Sequence, residues 1–324
     1  MLTLYCLESH KIRAIPSHDL ANSFPEHTVW IDLEHPTRQE EMAVERYLGI
    51  NVPTAEDMRS IEESSRLYAE DHAIIMTLPV LHRAASEDQE LAAVTFIATP
   101  KCLITLRYAN PSPIGLFAQS LERHAQTSLS PEDILIDLLE KIAERMAEIM
   151  ETATEDLEKL SHDIFRKNGE TGAASGTDFR SVIRKIGHIN DLATEAKASS
   201  LSFTRLLPFY AAHAKPEKNP ANRLLALERD IASISEHATF VSAKVSFLLD
   251  ATLGLINHEQ NSIIKIFSVA AVAFMPPTLI ASIYGMNFKQ MPELGWPFGY
   301  PLAIGMMVFL ALIPLWYFRR KKWL

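Results

Sequence analysis

Residues 266–286 read IFSVAAVAFMPPTLIASIYGM, and residues 300–318 read YPLAIGMMVFLALIPLWYF. Neither run contains a charge. As helices they would measure about 31 Å and about 28 Å at ~1.5 Å per residue, enough for a hydrocarbon core of about 30 Å. Two such runs back to back, closed by RRKKWL, predict two membrane spans rather than core helices of a soluble protein. The basic cluster Arg319, Arg320, Lys321 and Lys322 marks the cytoplasmic side, and Trp316, Tyr317 and Trp323 suit the interfacial belt. Two spans return the chain to its starting side. Residues 1–260 and the C-terminus are therefore expected in the cytoplasm, and the link Asn287–Gly299 on the far side. The opening MLTLYCLE lacks a charged segment followed by an apolar one, so no cleaved signal peptide is expected.

Charge divides the chain at the same place. Of 324 residues, those from 261 onward carry six basic side chains and one acid, a net of +5. The whole chain is −9, which leaves −14 on residues 1–260. An acidic body argues against nucleic acid, which needs a basic surface, and suits a cation as partner. Two cysteines, Cys6 and Cys102, cannot build a disulfide framework, so a reducing compartment is expected.

The fold expected before the spans is α+β followed by long helices. Leu2–Leu7, Val29–Leu33, Ala73–Val80, Leu91–Ala98 and Cys102–Tyr108 are short apolar or β-branched runs bounded by turn residues, and read as strands. Thr37–Leu48 and Thr54–Ile61 have helical spacing, with Thr37 and Thr54 as caps. Residues 1–112 form this α/β domain, and 113–220 form a helical hairpin region. Ser130-Pro131 opens a helix there whose buried face is Leu135, Leu138, Leu139, Ile142, Met146 and Ile149. A second helix runs over about 178–212, and Lys215–Pro220 breaks the chain. Leu227, Ile231, Ile234, Ala238, Val241, Val245 and Leu248 then repeat in a 4-3 heptad seam, on a helix expected over 221–286. Its first span is about 263–286. The external loop is 287–299, the second span 300–318 and the basic tail 319–324.

The first span carries a stripe of its own. Asn261, Ile264, Ser268, Ala271, Met275, Thr278 and Ser282 fall on one helical face that is smaller and more polar than the rest, with Phe274, Val269, Val272, Leu279 and Ile280 opposite. Such a stripe serves close helix packing, or it lines a water-filled path made by several copies. Two spans cannot enclose a lumen, so a pore requires a ring of subunits.

The end of that helix reads Tyr284-Gly285-Met286-Asn287, with Met-Pro-Glu-Leu at 291–294, then a second apolar helix and a basic Lys-Trp-Leu end. In this the chain resembles the CorA magnesium channel family. Residues 259–267 (EQNSIIKIF), Trp30-Ile31-Asp32-Leu33 and the acidic helix around Glu56-Asp57 are also similar to bacterial members. The resemblance runs end to end and is specific mainly over 255–324. It implies a funnel-shaped homopentamer in a bacterial inner membrane, with the first span of each copy lining the pore. It implies Mg2+ as the transported ion, Co2+ and Ni2+ as further substrates, and closure by cytosolic Mg2+.

Residue by residue, it implies that Tyr284, Gly285, Met286 and Asn287 form the outer selectivity motif, with the Asn287 ring facing outward. Asn261, Ile264, Phe267, Met275 and Thr278 match pore-lining positions. The resemblance selects Phe267 where the helical count selects Ser268. Asp250 matches an acidic position near the inner mouth. Where the family has a sensor carboxylate on the long helix this chain has Ala226. The acids taken as regulatory metal ligands are therefore Glu228 and Asp230 on the long helix, Glu56 and Asp57 in the α/β domain, and Asp250.

Mg2+ demands octahedral oxygen and sheds water reluctantly. With no acid in either span, a ring of Asn287 amides recognises the hydrated ion through its waters. Gly285 is expected to end the helix through a positive φ. Lys265, with Arg319–Lys322, forms a basic collar at the inner edge or simply anchors the spans. No organic cofactor, phosphate loop, metal-ligand spacing or nucleophile–base pair appears. The chain is read as a non-enzyme. The zinc-transporting branch of the same superfamily and a membrane-anchored sensor or enzyme without a pore are the alternatives.

Overall fold

A computed structural model describes residues 1–8, 11–16, 24–60, 62–70, 72–84, 86, 89–123, 129–170, 178–214, 218–286 and 291–321. The chain forms two compact units. The first comprises Met1–Arg166 and Arg180–Leu248, and the second comprises Lys167–Phe179 and Leu249–Leu324.

The first unit opens with a mixed seven-stranded sheet of order β2-β1-β3-β7-β6-β5-β4. Its strands are β1 (Leu2–Glu8), β2 (Lys11–Pro16), β3 (Thr28–Glu34), β4 (Leu67–Glu70), β5 (Ala73–His82), β6 (Glu90–Ala98) and β7 (Leu103–Arg107). Among the described residues only β3 and β7 pair in parallel, with Trp30 beside Leu103 and Asp32 beside Thr105. The five strands expected from sequence are all present. The two that sequence missed, β2 and β4, are the outer edges of the sheet. Edge strands face partners on one side only, so Lys11-Ile12-Arg13 and Tyr68-Ala69-Glu70 can be charged and carry no clean apolar alternation.

Helices α1 (Arg38–Leu48), α2 (Ala55–Arg59) and α3 (Glu63–Arg66) follow β3. Thr37 and Thr54 both close capping boxes, with Glu40 and Asp57 respectively. Val44 of α1 and Met58 of α2 join Leu2, Leu4, Ile31, Leu33, Ile104 and Leu106 in one core. Trp30 lies outside that cluster, stacked on Tyr5 at 4.1 Å and tilted against Phe117 of α4 (Ser112–Arg123) at 5.7 Å. Behind it runs a buried polar chain. Trp30 Nε1 donates to Thr105 Oγ1 (3.0 Å), Thr105 to Asp32 Oδ1 (2.6 Å), and Arg107 Nη2 to Asp32 Oδ2 (2.8 Å) and Glu34 Oε2 (2.9 Å). Arg107 also donates to Ala109 O and Asn110 Oδ1, which fixes the turn into α4.

The rest of this unit is a three-helix bundle of α5 (Pro131–Glu170), α6 (Phe179–Ala214) and the first half of α7 (Lys218–Tyr284). Ser130 and Asp133 close a reciprocal cap on α5, at 2.7 and 3.1 Å. Tyr210–Glu132 and Ser200–Met146 contacts set α6 antiparallel to α5. Arg223–Glu140, His237–Thr154 and Lys244–Glu158 set α7 parallel to α5. The heptad seam is the bundle core: Leu227, Ile231, Ala238, Val241, Val245 and Leu248 are buried, and Ile234 nearly so. The helix starts at Lys218, three residues before the sequence reading. Pro220 falls in its first turn, where a missing N–H costs nothing.

The second unit holds the remainder of α7, a short 3-10 turn η1 (Pro292–Gly295) and α8 (Gly299–Arg320). Pro276 and Pro277 lie inside α7 without ending it, and Pro314 lies inside α8.

Candidate functional site

Two helices of this chain, within Asn219–Tyr284 and over Gly299–Arg320, are long and apolar enough to cross a membrane. The chain leaves their apolar segments almost bare, as no core helix of a soluble protein would be. Phe267 is 72% exposed, Phe274 and Met275 70%, and Phe309 64%.

Coverage follows one stripe on each helix. On α7, Val269 and Ala273 are buried and Pro276, Pro277, Ile280 and Tyr284 half-buried. On α8, Gly299 and Ala303 are buried and Met307, Leu310, Ala311, Pro314 and Phe318 half-buried. Small residues occur in both stripes, Ala273 on α7 and Gly299 and Ala303 on α8, the residue type that close helix packing favours. The face set expected opposite the polar stripe is corrected here. Val269 and Ile280 are covered, but Phe274, Val272 and Leu279 are exposed at 70%, 46% and 61%. At ~100° per residue these three flank the polar stripe rather than oppose it.

The polar stripe itself is wholly uncovered. Asn261, Ile264, Phe267, Ser268, Ala271, Met275, Thr278 and Ser282 are all exposed, on a face about 160° round the helix from the Val269–Ala273 stripe. Phe267 and Ser268 are both accessible along it. Thr278 Oγ1 donates to Phe274 O at 2.8 Å. With its proton committed to the helix, this hydroxyl turns only lone pairs outward.

Three members of the terminal motif are described, and Asn287 lies outside the described residues. Tyr284 closes the helix on the half-buried stripe, and Met286 is 49% exposed. The expectation for Gly285 is corrected. Its φ is not positive; among the described residues Gly49, which caps α1 at φ 69°, is the glycine that uses that freedom. Gly285 N instead bonds Ala281 O at 3.0 Å, and a Cβ there would meet that carbonyl at 3.2 Å. Handedness therefore does not explain glycine at this position.

The acids proposed as metal ligands are exposed and dispersed. Glu228, Asp230 and Asp250 stand on α7, and Glu56 and Asp57 on α2. Among the described residues no three His, Cys, Asp or Glu side chains gather into a metal site. Asp57 is already occupied: it accepts from Thr54 N at 2.9 Å and Thr54 Oγ1 at 2.7 Å. Those bonds hold its carboxyl below the usual range.

Of the basic collar, Lys265, Arg319, Arg320 and Lys321 are exposed, and Lys322 lies outside the described residues. Sequence reading missed that Arg320 sits over the Trp316 ring and Lys321 over the Tyr317 ring, each at 5.6 Å. The i, i+4 spacing of both pairs was the available signal. It also missed Arg223, which donates to Asp137 and Glu140 and ties the first turns of α7 to α5. Those bonds keep the guanidinium charged, while burial pushes Asp137 up despite it.

Known proteins match this arrangement over its full length. The family described as CorA-like Mg2+ transporter protein matches residues 25–320. The magnesium transport protein CorA of Pasteurella multocida is 32% identical over 324 residues, covering all of both chains. That of Escherichia coli strain K12 is 32% identical over 327 residues, again end to end. In fold, the CorA magnesium transporter of Methanocaldococcus jannaschii superposes with a TM-score of 0.74 at 20% identity, over 100% of this chain and 99% of that one. A bare polar stripe on the first of two C-terminal apolar helices, the Tyr-Gly-Met-Asn end of that helix and these matches agree, and the chain is a member of the CorA-like Mg2+ transporter family.

Proposed function

We propose that this transporter is a passive channel for hydrated Mg2+, formed by a ring of five copies whose α7 polar stripes face a common lumen. The observation that carries it is the uncovered stripe from Asn261 to Ser282, opposite the covered face of the same helix. One chain has nothing to place against that stripe, and a ring of chains has water.

The ion enters at the Asn287 ring, whose amide oxygens accept hydrogen bonds from its coordinated waters. Its first shell stays in place, which suits an ion that dehydrates reluctantly. Thr278, with lone pairs turned outward, is the next station, and Asn261 the last. Ile264, Phe267 and Met275 form apolar rings between them that close by dewetting. No fuel is required: an inside-negative potential supplies a divalent ion with about 4.6 kcal/mol per 100 mV. Co2+ and Ni2+, of similar charge and hydration, are further substrates.

In this reading residues 1–112 and 113–220, the 221–286 helix up to its span, and the 319–324 tail lie in the cytoplasm of a bacterial cell, with 287–299 outside the inner membrane. Five bodies of −14 repel one another. Cytosolic Mg2+ bridging carboxylates of neighbouring copies relieves that repulsion and holds the channel shut. Glu228, Asp230 and Asp250 on α7 are available for such bridges. Of the α2 pair, Glu56 is the stronger candidate, because Asp57 is committed to its cap.

The test is Mg2+ flux into proteoliposomes. Asn287→Ala should abolish uptake in a protein that still inserts and assembles. Unchanged flux in that variant would refute the ring of amides, and a functional monomer or dimer by mass would refute the lumen.

A further inference from the structure

We propose that the basic end of α8 is a binding site for the headgroups of anionic phospholipids. This rests on α8 crossing a bilayer and does not depend on ion conduction. From Gly299 to Lys321 the helix carries no acid, and its last turn presents Arg319 and Arg320, followed by Lys321, all exposed. None of the three has a carboxylate partner among the described residues. Several cations of the first unit are instead ion-paired, among them Arg107, Lys141, Arg145, Lys159, Arg223 and Lys244.

What holds the free cations is aromatic. Arg320 lies over Trp316 and Lys321 over Tyr317, each cation folded back one turn toward the apolar segment. Trp316 is 64% and Tyr317 49% exposed. Rings of this kind settle at headgroup level, so they fix the depth of the charges. A ring contact uses none of the guanidinium's N–H donors, which can take a phosphodiester by two parallel bonds. Lys265 adds to the same level. It lies 19 residues before Tyr284 on α7, and Arg319 lies 19 residues after Tyr300 on α8, about 28 Å along each helix. A topological anchor needs charge alone. Arg320 and Lys321, held by rings at one depth with no carboxylate partner among the described residues, make a site selective for a headgroup.

The full-length protein, reconstituted in phosphatidylcholine vesicles, should be titrated with dibrominated phosphatidylglycerol or dibrominated phosphatidylcholine, reading quenching of Trp316 as the difference from Trp316→Phe. A preference for phosphatidylglycerol of about threefold to tenfold is expected, from roughly fivefold per surface cation shared among lipids. It should fall toward one in Arg319→Gln/Arg320→Gln/Lys321→Gln and in wild type at high salt. It should survive Arg319→Lys/Arg320→Lys in reduced form, and millimolar free glycerol phosphate should not compete. Equal quenching by both lipids, or a preference unchanged in the inserted triple variant, would overturn the proposal. If the triple variant fails to insert, the wild-type salt dependence decides: a preference indifferent to salt overturns it. Because quenching reads lipid contact, a protein that conducts nothing could still pass, and one that conducts could still fail.

Discussion

Helix α7 meets two solvents, and its two halves show how differently one helix can be finished. Between Leu227 and Leu248 its apolar face is the heptad seam, and the chain covers that face with α5 and α6. Between Asn261 and Ser282 the small, polar face is left uncovered together with its apolar flanks, while Val269 and Ala273 opposite are buried. In water an apolar stripe must be buried, and one chain can do it. In a bilayer apolar flanks such as Phe274 and Leu279 need no cover, and the polar stripe is the part that does. In the reading proposed here, the uncovered polar face is the one that other copies of the chain complete.

The sharpest way to break this comparison is to make one substitution in both halves. Ile231→Ala empties a fully buried seam position and should destabilise the first unit by about 2–5 kcal/mol. Ile264→Ala, 60% exposed, should change stability by no more than about 0.5 kcal/mol and alter conduction instead. Thermal unfolding of both variants, with flux beside it, checks the contrast. Equal losses of stability would mean that Ile264 is packed in the assembly and does not line a lumen.

Arg223→Ala sharpens the comparison from the soluble end. The guanidinium bonds Glu140 twice, at 2.7 and 3.0 Å, and Asp137 once. Its side chain is 29% exposed, so screening reduces the cost to about 1–2 kcal/mol. Hydrogen exchange should rise over the first turns of α7 and stay unchanged beyond Leu248. Exchange rising equally through the span would show that α7 acts as one unit and that the two halves are not separable.

Phe267→Gly probes the exposed half. Glycine in a helix interior costs about 1 kcal/mol. Losing an aromatic side chain that is 72% exposed should cost little more, and basal leak should rise as water enters the constriction. A variant no leakier than wild type under high internal Mg2+ would move the gate to Ile264 or Met275.

These variants test what sequence could and could not supply. The seam of α7 was legible because burial along a heptad has a period, and each of its seven positions is covered or nearly so. The central strands were legible for the same reason. Edge strands β2 and β4 were not, since half of each faces nothing that demands an apolar residue. Helix caps could be read from Thr37-x-x-Glu40 and Thr54-x-x-Asp57, and reading them correctly weakens Asp57 as a metal ligand. Gly285 does not adopt the positive φ expected of it, because a sequence does not show which backbone angle a glycine takes. The Trp30-Ile31-Asp32-Leu33 run was noticed, but its buried ties to Thr105 and Arg107 span 75 residues and have no local signature. For the metal-binding acids, the partners that would complete a site lie on other copies of the chain in the reading proposed here.

The smallest expected effect separates the halves by pH. Glu195, on α6, is half-buried, and its Oε2 is enclosed without a hydrogen-bond partner. Burial first, then the charges of Asp191 and Glu90, raise its carboxyl above the ordinary 4.5. A pKa raised by folding means that the native state favours the protonated form. The contribution of this group is therefore fully present below the unfolded value near 4.5, and is lost as pH rises through the folded value. Glu195→Gln keeps the neutral form at every pH. It should stabilise the first unit at pH 7 by on the order of 0.5 kcal/mol, a figure kept small by screening, and should confer nothing below about pH 4.5. Thermal unfolding followed through the buried Trp30, which lies in the same unit, reads this directly. The apolar stretches of α7 and α8 contain no acid, so lipid-facing helix order measured alongside should not shift with pH. A Gln variant less stable than wild type at pH 7 would mean that the charged carboxylate has a partner in the assembled protein. That result would place Glu195 at a contact between copies.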